Sequence, residues 1–272
     1  AHEVDLSFKL TVADMQNLLI GLQRWMEQID LGIRATTSVD RPTLEREVID
    51  QLQDSVLEEM QGAMVNFEES VREIPEGREA THKFYVRRQI HPLVLCSPFT
   101  YRSFHKPLGY AGDYEMVNMM VRDPYEGGSL FAKLINHAFL QTAPVVAHRN
   151  RIDYLTNKLR AEAERNAMRG RRTRILNLGC GPAHEVKQFL ENEELSDLCD
   201  ITLLDFNSET IEYTQKELAR VRAQAGRVTP ISLLQRSVHK LLRQASTGDV
   251  DLKWESYDMV YCSGLFDYLS QR

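Results

Sequence analysis

The sequence contains little cysteine: Cys96, Cys180, Cys199 and Cys262 are the four in 272 residues. None has C-x-x-C spacing or a histidine at a zinc-ligand interval, so we expect reduced, mostly buried thiols and no metal site. Long apolar runs are also missing, because no stretch approaches about 18 consecutive apolar residues, and no basic-then-apolar secretion signal opens the chain. These absences predict a cytoplasmic protein without an integral membrane span.

An excess of positive charge is missing as well. The formal net charge is -6 and the isoelectric point is about 5.8, so the chain lacks a general attraction for polyanions such as nucleic acid. The short basic cluster at residues 171–174 is interpreted as a solvated helix end. Apolar residues make up 43% of the chain, which is ordinary for a protein that buries a core. We therefore expect a globular protein whose partner is a small-molecule or fatty-acid-like substrate, not nucleic acid.

Residues 1–75 follow a helical period. After Thr11, which together with Asp14 resembles a capping box, apolar residues recur at steps of three and four and form one stripe. A second helix of about 30 residues is expected to open at Asp40-Arg-Pro42, since proline is tolerated in the first turn of a helix. Neither helix carries a catalytic constellation. We interpret them as core packing or as the seam of a homodimer.

Residues 78–144 are punctuated by proline, glycine and aromatic residues. Pro92, Pro98, Pro107 and Pro124 predict helix breaks, because the residue before a proline avoids the α region. The run FHKPLGYAGDY at 104–114 combines turn residues with tyrosines and an aspartate, a composition typical of a functional loop or of a plain connector. Another helix is expected over residues 145–168.

From Arg174 onward the pattern alternates between strands and helices. This order is typical of a parallel sheet with helical crossovers, and therefore of the α/β class. The strands are predicted at residues 175–178, 201–205, 231–234 and 257–261, and the helices at residues 182–190 and 209–222.

The first of these strands leads into the run LNLGCGP at 176–182, a glycine turn before a helix. Gly179 and Gly181 lack Cβ atoms, so the backbone can bend sharply and a ligand can approach it closely. A dinucleotide fingerprint requires a third glycine at the position of His184, which argues against NAD or FAD. No Gly-Lys-Ser/Thr follows the turn, so a P-loop is excluded.

Asp205 ends the second strand. A carboxylate at this position of a parallel α/β sheet can accept hydrogen bonds from both ribose hydroxyls, which selects an unphosphorylated ribose. In isolation Asp205 is equally well explained as a helix N-cap or a solvated loop acid. Next to the glycine turn, the nucleoside interpretation is favoured.

These motifs resemble those of the class I S-adenosylmethionine (SAM)-dependent methyltransferases. The run NLGCGPA at 177–183 is similar to the family's glycine-rich first motif, LLDFN at 203–207 to its acidic second motif, and YDMVYCSGLF at 257–266 to its fourth-strand motif. The resemblance implies a Rossmann-like parallel sheet and SAM as cofactor. It also implies cofactor contacts from Asn177, Gly179, Cys180, Gly181, Asp205, Phe206, Ser263 and Gly264.

Two positions depart from this pattern, and two more extend it. Asn177 stands where the family usually has an acid, but an amide oxygen can still accept a hydrogen bond from the cofactor's ammonium group. Ala183 replaces the usual third glycine and is the smallest alternative. After the third strand, Ser237 can accept a hydrogen bond from the adenine amine, and Val238 can pack on the ring.

The family's sheet normally has three further strands, whereas this chain stops after the fourth. A sheet without them would expose an apolar edge, so we expect the native protein to continue beyond Arg272 or another polypeptide to complete the sheet. The predicted domains are a helical cap and substrate region at residues 1–144 and a C-terminally truncated SAM-binding domain at residues 145–272.

A narrower resemblance concerns three segments, KPLGYAGDYE at 106–115, DPYEG at 123–127 and RNR at 149–151. They are similar to segments of the bacterial 3-hydroxypalmitic acid methyl ester biosynthesis proteins, which belong to the same superfamily. This resemblance implies a 3-hydroxy fatty acid as methyl acceptor. Its carboxylate is ionised near neutral pH and needs no general base, while Arg102 or Arg149 can orient it.

We predict further site residues in and near the 104–114 run. Tyr110, Asp113 and Tyr114 are expected to form a lid over the cofactor, with the rings close to the sulfonium. His105 is the candidate general base if the acceptor is a hydroxyl or an amine. Arg149 is also a candidate cofactor contact.

Two other functions remain open from the sequence. The same pocket can belong to a sensor or regulatory module that binds SAM or a nucleoside without turnover, since no residue type in the sequence distinguishes the two. An NAD-dependent oxidoreductase is the third alternative, despite His184 at the position of the missing glycine.

Overall fold

The computed structural model describes residues 4–35, 40–110, 112–238, 240–241 and 256–265. The chain divides into two compact units, of which unit 1 comprises Ala1–Ala111 and Met119–Val146, and unit 2 comprises Gly112–Asn118 and Ala147–Arg272. The sequence predicted a single boundary after residue 144. The compact units instead divide after Val146, and the short segment Gly112–Asn118 belongs to unit 2.

All regular secondary structure in the described residues of unit 1 is helical. Its own helices are α1 (Leu6–Arg34), α2 (Arg41–Arg72), α3 (Glu79–Val94), α4 (Pro98–His105) and α6 (Leu130–Leu140). Two more helices, α5 (Tyr114–Val121) and α7 (Ala143–Ala167), contribute residues to both units.

Met15, Leu19, Leu22 and Met26 of the predicted α1 stripe are buried in the core of unit 1, whereas Trp25 of that stripe is 44% exposed. Phe8, Val12 and Met26 of α1 are at most 2% exposed and pack in one cluster with Ile49 of α2 and Leu134 of α6. Burying one such side chain contributes about 1.5–3 kcal/mol toward packing these helices together.

Helix α1 begins earlier than predicted. It starts at Leu6, with Asp5 at its N-cap, whereas the sequence placed the start at Thr11. The Thr11 hydroxyl instead donates to the Ser7 carbonyl, 3.2 Å away, inside the helix. The capping-box prediction was wrong because Phe8, which is buried, extends the apolar stripe by one more turn.

One predicted helix break is also wrong. Pro92 lies inside α3, which continues to Val94. Proline removes only the hydrogen bond of its own nitrogen, and the helix ends soon afterwards, so the cost is confined to one turn. Pro98 by contrast stands in the first turn of α4, behind the N-cap Ser97, as expected for a helix start.

Unit 2 contains a parallel four-stranded sheet in its described residues. The strands are β1 (Thr173–Leu178), β2 (Cys199–Asp205), β3 (Ile231–Gln235) and β4 (Met259–Tyr261), and their order is β3-β2-β1-β4. Helix α8 (His184–Asn192) connects β1 to β2, and α9 (Ser208–Gln224) connects β2 to β3. The protein is therefore of the α/β class, and the sheet is compatible with a Rossmann-like arrangement.

The centre of this sheet is covered on both faces. On one face, Ile175 and Leu203 pack against Phe189 of α8 and Leu218 of α9. On the other face, Leu204 packs against Val238 and Leu241. Burial on both faces explains why β1 and β2 are almost continuous apolar runs, and it leaves the strand ends as the positions where polar groups can meet a ligand.

None of the helices in the described part of the chain combines the length and apolar character needed to cross a bilayer.

Candidate functional site

The candidate site lies at the carboxyl edge of the sheet in unit 2. Strands β2 and β3 lie on one side of β1, and β4 lies on the other. The strand order thus reverses between β1 and β4. Ligands of open parallel α/β sheets bind outside the carboxyl ends of the strands at such a switch point. The residues that follow β1, β2 and β4 are therefore in the position where such a ligand would bind.

The turn after β1 is held against β2. The amides of Gly179 and Cys180 both donate to the Leu204 carbonyl, at 2.8 and 2.9 Å. Gly179 and Gly181 have φ values of 70° and 53°, a region that side chains with a Cβ rarely adopt. A Cβ on Gly181 would meet nothing within 4 Å, so the space above this residue is open.

Asp205 joins the second strand end to the same turn. Its Oδ2 accepts a hydrogen bond from the Gly181 amide at 3.1 Å, and its Oδ1 accepts one from the Asn207 amide at 3.0 Å. A carboxylate has about four acceptor positions, so Asp205 can accept a further hydrogen bond from a ligand hydroxyl. Asn207, not Asp205, caps helix α9 by accepting from the Thr210 amide at 3.0 Å. The N-cap alternative for Asp205 is thereby removed.

The surroundings of Asp205 combine burial with an exposed ring. Burial raises the pKa of the Asp205 carboxyl, while the backbone N–H donors of Asn207, Gly181 and Phe206 oppose this effect. Phe206 is 56% exposed and offers an apolar ring next to the carboxylate. Ser237 follows β3, and the neighbouring Val238 is buried against Leu204.

A buried polar cluster lies beneath the glycine turn. The Asn177 amide nitrogen and the Tyr261 hydroxyl both donate to Glu185 Oε1, at 2.9 and 2.8 Å. Burial raises the pKa of Glu185, against the effect of these donors, and raises that of Tyr261 well above its usual value. The side-chain oxygen of Asn177 is buried and accepts no hydrogen bond from the described residues. Cys180, which is also buried, has a pKa raised well above normal by desolvation.

The segment after β4 is bound by helix α7. The Arg151 guanidinium donates to the Ser263 carbonyl, and a Cβ on Gly264 would lie 3.8 Å from Arg151 Nη1. Ser263 and Gly264 therefore follow β4 at the carboxyl edge of the sheet. Arg149, the predicted contact, is a partly buried residue two positions earlier on α7.

The Gly112–Asn118 segment packs on α8 and α9. Tyr114 stacks on Tyr213, with ring centroids 4.8 Å apart, and Asn118 Oδ1 lies 3.0 Å from His184 Nε2. Asp113 Oδ1 accepts from the Met116 amide at 2.9 Å and holds the start of α5. Of the predicted lid residues, Asp113 and Tyr114 thus belong to unit 2 with the glycine turn.

The other two residues of the 104–114 run with predicted roles belong to unit 1. His105 is exposed, stacks on Tyr101 with centroids 4.0 Å apart, and has its Nδ1 3.0 Å from the Tyr101 carbonyl. Tyr110 also lies in unit 1. The structure therefore does not bring His105 and Tyr110 into the cluster that unit 2 forms by itself.

Sequence reasoning missed two histidines of unit 2. Burial and the positive charge of Lys187 lower the pKa of His184 to about 4, so this imidazole is neutral at pH 7. Burial also lowers the pKa of His148, with a smaller contribution from Arg151. His184 follows the glycine turn directly, and this position was the one signal that could have marked it.

The chain matches no protein-family model, and no curated protein or solved structure is significantly similar to it.

Proposed function

We propose that unit 2 binds S-adenosylmethionine at the carboxyl edge of its sheet, and that the protein is a methyltransferase acting on a small-molecule acceptor. The observation that carries the proposal is the direct contact between the glycine turn and the second strand end. Gly181 N–H lies 3.1 Å from the Asp205 carboxylate, and the space above Gly181 is open. This arrangement is compatible with an unphosphorylated adenosine.

Each part of the adenosine has a matching group in unit 2. The Asp205 carboxylate can accept a hydrogen bond from the ribose. The exposed Phe206 ring offers a surface on which the adenine can pack, and Ser237 follows the neighbouring strand. The bare backbone at Gly181 permits close approach of the ligand.

A dinucleotide fits these residues less well. Its pyrophosphate is held where the third glycine of the fingerprint allows the helix to pack closely. Here the position is His184, whose ring is directed to Asn118, 3.0 Å away. The proposal therefore favours a nucleoside with an amino-acid tail over NAD.

The cofactor would supply an electrophilic methyl group, and the protein's task is to position the acceptor and exclude water. Such positioning is worth up to about 7–11 kcal/mol in favourable cases. We propose the carboxylate of a 3-hydroxy fatty acid as acceptor, because an ionised carboxylate needs no base. His184, with a pKa of about 4, is a weak proton acceptor, which also favours an acceptor that is already ionised.

The test is methyl transfer from SAM labelled on its methyl group, with 3-hydroxypalmitic acid as acceptor and a cell extract as a source of others. We expect label in a small-molecule ester. Saturable SAM binding without transfer to any acceptor would contradict the enzyme and indicate a sensor. A thermal shift with NAD but none with SAM would contradict the cofactor assignment, because a ligand that binds the folded protein raises its melting temperature.

A further inference from the structure

One stretch of unit 1 carries a charge opposite to that of the whole protein. Residues 80–112 contain five Lys and Arg residues and no Asp or Glu, whereas the chain has a formal net charge of -6. The stretch holds all of α4 and all but the first residue of α3. The net charge of the chain therefore conceals a local excess of positive charge.

The exposed side chains of α3 form one stripe along the helix. Phe84, Arg87 and Arg88 stand at steps of three and four residues and are exposed, and His91 follows them as a half-buried residue. Phe84 is 71% exposed. The helix contributes Ile90 to the core of unit 1 instead. The stripe thus combines an apolar ring with two cations on a surface that is open to solvent.

Ring contacts join this stripe to α4. The Arg87 guanidinium lies over the Phe104 ring, 5.4 Å from its centroid, and the His91 ring meets Phe104 edge-on at 4.4 Å. The His105 ring in turn lies 5.1 Å from that of Phe104 and stacks on Tyr101 at 4.0 Å. Tyr101 and Phe104 are 53% and 40% exposed. The two helices therefore share one basic aromatic patch, which consists of Phe84, Arg87, Arg88, Tyr101, Phe104 and His105.

The positive charge of the patch is not neutralised by acidic side chains. Arg87 and Arg88 form no ion pair within the described part of the chain. Burial lowers the pKa of His91, and the charges of Arg87 and His105 lower it further. Such a shift is the expected response of an imidazole to positive neighbours. The patch is therefore complementary to an anionic partner.

The aromatic rings distinguish between two kinds of polyanion. Single-stranded nucleic acid binds when its bases stack on the faces of aromatic rings. Here Arg87 lies over a face of Phe104, and His105 covers a face of Tyr101. A bilayer surface needs no free ring face, because aromatic side chains enter the headgroup region while neighbouring cations attract anionic lipids. The arrangement thus favours an anionic lipid surface.

We propose that the basic aromatic patch docks the protein on the surface of an anionic phospholipid bilayer. The Phe84 ring enters the headgroup region, and Arg87 and Arg88 contact the lipid phosphates. The same surface repels the negative charge carried by the rest of the chain, so the patch also sets the orientation in which the protein approaches. The surface is inferred from unit 1 alone and is independent of the cofactor proposed for unit 2.

The test is sedimentation of the full chain with vesicles of phosphatidylcholine, prepared with and without phosphatidylglycerol. We expect binding only to the vesicles that contain phosphatidylglycerol, and weaker binding as the salt concentration rises, because salt screens the attraction. Arg87→Gln/Arg88→Gln should weaken the binding about 30-fold, the factor for two cations near a charged bilayer. Arg87→Lys/Arg88→Lys keeps both charges and should bind nearly as the unmodified protein does. Phe84→Ser should weaken the binding about tenfold, because the apolar ring is lost.

The matched control removes two exposed cations from unit 2. In Lys158→Gln/Arg169→Gln the same charge is lost, and Lys158 also lies over a tyrosine ring, that of Tyr154, at 5.1 Å. This control should bind the vesicles as the unmodified protein does. All variants should keep its melting temperature, since the substituted side chains are exposed.

The lipid selectivity is measured on the unmodified protein and needs no variant. Absence of binding to the phosphatidylglycerol vesicles, or equal binding to both kinds of vesicle, would overturn the proposal. Equal losses in Arg87→Gln/Arg88→Gln and in the control would show that the patch is not the docking surface. Binding of a single-stranded oligonucleotide without binding of vesicles would also overturn it and would indicate a nucleic-acid partner.

Discussion

Two buried asparagines, one in each unit, use their amide groups differently. Asn136 in unit 1 accepts from the Ser97 hydroxyl at 2.8 Å and from the Phe99 amide at 3.0 Å, and it donates to the Pro124 carbonyl at 2.9 Å. Asn177 in unit 2 donates to Glu185, and its oxygen accepts nothing from the described residues. The Asn136 amide uses both its oxygen and its nitrogen in hydrogen bonds within unit 1, whereas the Asn177 oxygen can still accept a hydrogen bond.

The difference extends to what surrounds each residue. Asn136 ties α4 and the loop before α6 into a helical core, and a fully bonded polar group of this kind rigidifies its surroundings. Asn177 lies at a strand end, between a glycine turn and a buried carboxyl group. A buried polar atom without a partner among the described residues requires an explanation, and the proposed cofactor supplies one. Burial alone therefore does not separate structural from functional polar residues.

The largest effect on stability should come from removing the hydrogen-bonded amide group of Asn136. We expect Asn136→Ala to lower the free energy of unfolding by about 4 kcal/mol, because three hydrogen bonds are lost and their partners stay buried. Asn177→Ala should cost about 1 kcal/mol, since it also removes the unpaired oxygen. Urea denaturation followed by circular dichroism measures both. Equal losses would show that the polar cluster of unit 2 is as structural as that of unit 1.

Acidification should destabilise unit 2 through His184. The folded-state pKa of about 4 lies below the ordinary histidine value of 6.5, so between these values the unfolded chain binds a proton that the folded chain does not. Stability should thus rise with pH through this window and be complete above it, with a total of up to about 3 kcal/mol.

His184→Gln should flatten this pH dependence in thermal unfolding curves. His105→Gln, which removes an exposed histidine of unit 1, serves as the matched control. An unchanged acid profile in His184→Gln would show that His184 is not held neutral by its surroundings.

Two glycine substitutions distinguish the stability cost of backbone strain from a loss of ligand binding. Gly181 and Gly226 have φ values of 53° and 66°, and a Cβ on either would meet nothing within 4 Å. Gly181→Ala and Gly226→Ala should therefore each cost about 1–2 kcal/mol in stability. Only Gly181→Ala should also weaken S-adenosylhomocysteine binding, because its methyl group enters the open space above the turn. Equal affinities in the two variants would place the ligand elsewhere.

The smallest effect concerns the aromatic contact of α5. Tyr114→Ala should cost unit 2 about 1 kcal/mol, the value of a stacked aromatic pair, because the ring lies on Tyr213. Tyr114→Phe keeps the ring and should restore the stability in the same denaturation assay. If Tyr114→Ala is also unchanged in SAM affinity and turnover, the predicted role of Tyr114 in a lid is wrong.

The strands and most helices were predictable because their signals are local. Buried parallel strands appear as short apolar runs, and β1, β2 and β3 extend at most two residues beyond the predicted ends. The start of α1 and the continuation of α3 through Pro92 were missed. In both cases packing in the helical core outweighed a local stop or start signal.

Site residues that belong to one short sequence motif were predictable from the sequence. Those that the fold brings together from distant segments were not. Gly179, Gly181 and Asp205 form motifs with fixed spacing. Glu185 was missed because a charged residue is rarely buried, although it stands four residues before the buried Phe189 on the same face of α8. Its donors, Asn177 and Tyr261, come from two different strands, and only the folded sheet brings them together.

The central claim is that Asp205 binds the ribose of an adenosine cofactor, and the most direct test is calorimetric titration with S-adenosylhomocysteine. The matched control is Asp200→Ala, at the other end of β2, where Asp200 pairs with Arg172 at 2.9 Å. We predict saturable binding to the unmodified protein and to Asp200→Ala, and affinity about 100-fold weaker in Asp205→Ala through the loss of two charge-assisted hydrogen bonds. No binding to the unmodified protein, or equal affinity in Asp205→Ala, would contradict the account.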